Sequence, residues 1–183
     1  CYQQTDDDVL CLGIVRNISP TVAIGQVTFD AAWVDASGHV MEQTTQTVLQ
    51  RIIPPQGTAP YHIRFERPYT ADSMITLVPR RAHSIDITPL PLTITEDRGR
   101  WVEGRYVISG RLTNTTTSNA HNIHIVATLR DSSRRVVGYR IHTISTLRPQ
   151  DSHPFTIPVS SQVIDERVNY ALFVDARAES PPE

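Results

Sequence analysis

The side chains able to do chemistry in this chain are seven histidines, two cysteines and scattered acids and hydroxyls, and their spacing excludes most catalytic uses. Zinc or a covalently attached c-type haem would need a Cys-x-x-Cys pair, and the cysteines are Cys1 and Cys11. His121 and His124 are three apart, which points them to opposite faces of a strand, so they read as surface polar residues. A serine or cysteine nucleophile is commonly presented on a strained turn such as Gly-x-Ser-x-Gly, and no such turn occurs. Asp6, Asp7 and Asp8 lack the glycine and distant glutamate of a calcium loop and read as a solvated spacer. Asn17-Ile-Ser and Asn114-Thr-Thr match the N-glycosylation pattern, but recur at equivalent places as turn elements. We therefore expect no catalytic residue, no metal and no bound cofactor. An enzyme assembled from scattered acids and histidines is the last of the readings.

The cysteines leave two alternatives. A disulfide would tie the N-terminal end to the first strand, although nothing else in the sequence demands it. Alternatively, Cys1 resembles the mature end of a bacterial lipoprotein, with a lipid on its sulfur and "YQQTDDD" as a polar tether. A diacylglyceryl group plus an N-acyl chain exceeds the two chains needed for stable anchoring, at about 0.8 kcal/mol per buried methylene. The expectation taken forward is lipidation of Cys1, and hence an extracytoplasmic protein anchored to the cell membrane. Cys11, inside the alternating "VLCLGIV", is then an ordinary buried thiol.

Among aromatic residues, Trp101, Tyr61 and Tyr69 are candidates for a ligand or partner surface. Trp33 lies in an apolar run and reads as core.

Composition narrows the partners. The formal net charge is −2, and no run approaches the ~18 apolar residues of a membrane-spanning helix. Adjacent cations occur only as Arg80-Arg81 and Arg134-Arg135, which argues against a nucleic-acid partner. All 17 cationic Lys-plus-Arg positions are arginine, a bias that codon usage explains most simply.

The elements that must position these side chains are strands. "QVTFDAAWVD", "NIHIVATLRD" and "RVVGYRIHTIST" alternate in polarity and are bounded by Pro, Gly, Asn or Ser. The only helical candidate is one capped turn in "SSQVIDERV". The two halves also align. "GIVRNIS" matches "GRLTNTT", "WVDASGHVM" matches "LRDSSRRVV", and "IIPPQGTAPYHIRF" matches "TLRPQDSHPFTI". Gly13 answers Gly110, Asp35 answers Asp131 and Gln56 answers Gln150, as in a duplicated domain. Each unit closes on a final strand, "MITLVPRRA" or "NYALFVDARA".

This order of a Gly-x-hydrophobic-x-Asn strand, an Asp hairpin, a Pro-rich loop before an aromatic strand and an "LFVDA"-like strand resembles the FxLYD domains. The first half departs at its last strand, where Leu77-Val78-Pro79 has no aspartate. The resemblance implies an all-β chain of two tandem immunoglobulin-like or fibronectin-like antiparallel β-sandwiches, with no catalytic residues to carry over. The expected organisation is a tether at 1–8, one sandwich at 9–82, a Pro-stiffened linker at 83–91, a second sandwich at 92–179 and a tail at 180–183.

The expected function is a non-enzymatic, membrane-tethered interaction or scaffold module whose partner is a protein complex in the same envelope. The candidate partner is an electron-transfer assembly of the alternative complex III type, to which the chain would be an accessory peripheral subunit. A glycan- or small-ligand-binding envelope protein is the second reading.

Overall fold

The computed structural model describes residues 1–67, 72–85, 90–163 and 167–178, and every regular element among them is a strand. The chain divides into two compact units, Cys1–Ile87 and Thr88–Glu183.

The first unit is built from β1 (Tyr2–Thr5), β2 (Asp8–Arg16), β3 (Ala23–Val34), β4 (Val40–Thr47), β5 (Ile52–Ile53), β6 (Thr58–Phe65) and β7 (Met74–Ile85). One sheet has the order β1-β2-β6; in the other, β3 is flanked by β4 and β5 on one side and by β7 on the other. All of these pairings are antiparallel. Alternation puts Val9 and Cys11 of β2, Phe29, Ala31 and Trp33 of β3, and Ile63 and Phe65 of β6 into one core. Trp33 is 1% exposed and meets Phe65 edge-on at 5.2 Å, which makes it the core residue its sequence context suggested.

The second unit comprises β8 (Leu92–Val102), β9 (Arg105–Asn114), β10 (Ala120–Arg130), β11 (Val136–Leu147), β12 (Ser152–Val159) and β13 (Asn169–Ala178). Its sheets have the orders β12-β9-β8 and β11-β10-β13, again antiparallel. Apart from β5, which has no counterpart among the described residues, this repeats the strand order of the first unit, with β9 in the place of β2, β12 of β6, β10 of β3 and β13 of β7. Ile108 and Leu112 from one sheet, and Ile123, Ile125 and Leu129 from the other, are fully buried, giving a β-sandwich-like core.

The repeated motifs hold equivalent joints. Asn17 and Asn114 are buried at the ends of β2 and β9. Each accepts the amide of the residue two positions on, Ser19 at 3.0 Å and Thr116 at 3.1 Å, which is the expected local turn. Each also donates through Nδ2 to the crossing loop, Asn17 to Ile53 O and Pro54 O, and Asn114 to Leu147 O. With both amide groups engaged inside the unit, neither asparagine can carry a glycan in this fold.

Gly13 lies opposite Tyr61 in the β2–β6 ladder, and Gly110 lies opposite Phe155 in the β9–β12 ladder. A Cβ on Gly13 would come within 2.4 Å of the Tyr61 ring, and one on Gly110 within 2.7 Å of Phe155. In both units the aromatic ring occupies the space that the glycine leaves.

Three expectations change. Residues 1–8 do not form a free tether: β1 pairs with β2, Asp6-Asp7 make the intervening turn, and Asp8 opens β2 with an ion pair to Arg64 at 3.0 Å. The linker drawn at 83–91 begins too early, because β7 continues through Ile85 along β3; residues 86–89 lie outside the described residues. The helical turn expected in "SSQVIDERV" centres on residues 164–166, which lie outside the described residues. His121 and His124 do not follow simple alternation either, since a bulge with Asn122 at φ 49° falls between them.

Candidate functional site

Cys11 is buried, as its alternation indicates, but it is not a free thiol. It forms a disulfide with Cys1. The hairpin makes this pairing natural, because Tyr2 stands opposite Leu10 and the next position outward sets Cys1 beside Cys11. The sulfur needed for a lipid thioether is therefore occupied here, and the two states of Cys1 exclude one another.

The three aromatic candidates do not converge. Tyr61 is half-buried over Gly13 and meets Phe29 edge-on at 5.1 Å, so most of its ring serves packing, and burial raises its phenol pKa. Tyr69 lies outside the described residues. Trp101, at the end of β8, is half-buried against Tyr106 at 5.3 Å, and Tyr106 in turn lies 6.1 Å from Tyr170. Tyr170 donates its hydroxyl proton to Asp97 Oδ2 at 2.7 Å, linking β13 in one sheet to β8 in the other. Desolvation, followed by this bond and the carboxylate charge, pushes the Tyr170 phenol up to about 12.

Other ionisable groups are engaged in turns. Asp35 accepts from the Ser37 hydroxyl and amide and from the His39 amide; the Ser37 hydroxyl and His39 amide are the main causes of its lowered pKa. Asp131 would be raised by desolvation, but the Arg135 amide and guanidinium outweigh that and lower it. Burial lowers the pKa of His62 and of His142, with Arg64 and His153 respectively adding to the shift. Among the described residues, no three His, Cys, Asp or Glu side chains cluster as metal ligands.

Two exposed surfaces remain. On the first unit, the ladder sets Val34 between Val40 and Met74, and these flanking side chains are 58% and 60% exposed. Met41 adjoins Val40 in this apolar strip, Val78 is a further exposed apolar side chain beyond Thr76 on the row of Asp30, and β7, which carries Met74 and Val78, pairs only with β3 among the described strands. Beside it, Arg80 bridges Asp30 and Thr45 at 3.1 and 3.0 Å. On the second unit, the outer face of β8-β9-β12 carries arginines and hydroxyls instead. Sequence reasoning missed both surfaces, because each depends on which strands become neighbours. No helix among the described residues is long and apolar enough to cross a membrane.

No family model matches the chain, and no curated protein matches it.

Proposed function

We propose that this protein is a non-enzymatic interaction module of the cell envelope, made of two tandem immunoglobulin-like units of the FxLYD kind. The observation that carries this reading is the exposed apolar strip of Val40, Met41 and Met74, with Val78 further along edge strand β7. Exposed apolar side chains next to a strand edge that pairs with no described strand are a docking surface for another protein. The duplicated polar residues support the same reading, because Asn17 and Asn114, and Asp35 and Asp131, hold turns and joints.

The envelope location rests on the Cys1–Cys11 disulfide, since such bonds persist in oxidising compartments. A lipid on Cys1 would require the alternative, unpaired state of that cysteine. The partner is a membrane protein complex in the same envelope, with an electron-transfer assembly as the specific candidate. Native purification in mild detergent tests the reading: co-purifying subunits should be lost from a Met74→Asp/Val78→Asp variant that keeps its β circular-dichroism spectrum. A free wild-type monomer under the same conditions would contradict it.

A further inference from the structure

The outer face of the β8-β9-β12 sheet is built from charge and hydroxyls. Opposed ladder positions share a face, so the register assembles it in rows: Thr93, Thr113 and Ser152; Thr95, Arg111 and Pro154; Arg98, Ser109 and Thr156; Arg100, Val107 and Pro158. Rows are about 7 Å apart along the strands, and neighbouring strands about 4.8 Å apart. Arg105, opposite Val102, adds a further cation at the hairpin end.

The bulge between Thr95 and Arg98 interrupts these rows. Glu96 stands there with φ 56°, a conformation that few non-glycine residues adopt, and its carboxylate lies 3.7 Å from Arg111 Nε. Bulges re-aim side chains beside binding sites. Here the bulge opens a depression of about 290 Å³ whose polar lining is Glu96, Arg98, Ser109, Arg111 and Thr156, with Gly110, Pro154 and Phe155 completing it. Arg98, Arg100 and Arg105 are exposed, and none has an ion-pair partner among the described residues.

We propose that this face binds an acidic polysaccharide, with Arg98 and Arg111 taking a sugar carboxylate and Glu96, Ser109 and Thr156 taking neighbouring sugar hydroxyls. Guanidinium forks match carboxylates, and a shallow polar trough suits a hydrated, hydroxyl-rich chain. Other polyanions fit less well. Single-stranded nucleic acid is held by stacking on aromatic rings, and these rows contain none. Protein interfaces centre on accessible aromatic and apolar anchors, whereas the one aromatic residue lining the trough, Phe155, is only 3% exposed and belongs to the core. An anionic membrane would gain from inserted apolar side chains, whereas those here are Val107, Val102 and prolines. The site is separate from the apolar strip of the first unit and does not depend on it.

Affinity measurements on the full chain test this with polygalacturonate as the probe, alongside neutral dextran, polyglutamate and phosphatidylglycerol vesicles. The expected result is binding to polygalacturonate that weakens as salt is raised, with dextran silent. Affinity should fall at least tenfold in Arg98→Ala/Arg111→Ala, a variant that truncates only exposed side chains, and be unchanged in Arg140→Ala on the other sheet. Circular dichroism and the thermal midpoint would verify that both variants are folded. Absence of polygalacturonate binding at low salt, undiminished binding in the double variant, or equal or tighter binding to polyglutamate or the vesicles would each overturn the proposal.

Discussion

Asn114 donates through Nδ2 to the carbonyl of Leu147 at 2.9 Å across 33 residues of sequence, and Asn17 makes the equivalent bond to Ile53 at 3.2 Å across 36 residues. Alanine at either position would leave buried carbonyl and amide groups without partners, at about 2–4 kcal/mol. Asn17→Ala and Asn114→Ala should each lower the midpoint of urea unfolding. Aspartate should fail to rescue either site, because it supplies no donor to the carbonyls.

Gly38 and Arg134 occupy the same turn position in the two units, at φ 88° and 64°. Nothing lies within 4 Å of a Cβ built on Gly38, so replacement there strains the backbone alone. Gly38→Ala should cost about 1 kcal/mol, and Arg134→Gly should recover a similar amount. Thermal unfolding of the two variants should therefore shift in opposite directions.

The Tyr170 phenol should ionise late, near 12, held back by desolvation and by Asp97. A raised folded pKa gives stability that is fully present below the unfolded value of about 10 and is lost as pH rises through about 12. Phenolate absorbance should show a late-titrating tyrosine that moves to lower pH in Asp97→Asn and disappears in Tyr170→Phe.

Gly13→Ala would drive a Cβ into the Tyr61 ring, and Gly110→Ala would meet Phe155 and the Asp97 backbone. Each should destabilise by about 1–3 kcal/mol. A double-mutant cycle should show the Gly13→Ala penalty reduced in a Tyr61→Leu background, because the obstructing atoms are then gone.

Much of the architecture was legible because the signals were local or repeated. Alternation marked β3 and β10, Asp35 and Asp131 marked their hairpins, and matched Asn and Gln positions marked the duplication. What escaped depends on strand neighbours. The polar sequence of β1 gives little sign that pairing with β2 orders it, and the glycines of β2 and β9 reveal their role only opposite Tyr61 and Phe155. The arginine face is equally hidden: Arg98 and Arg111 lie on consecutive strands, and the bulge together with antiparallel pairing decides that they share one trough.

Disulfide mapping of the native protein tests most directly the claim that the N-terminal segment belongs to a unit matured in the oxidising envelope. Denaturation without reductant, alkylation and proteolysis should yield one cross-linked peptide pair containing Cys1 and Cys11, with neither thiol alkylated. Alkylation of both Cys1 and Cys11 would contradict the account.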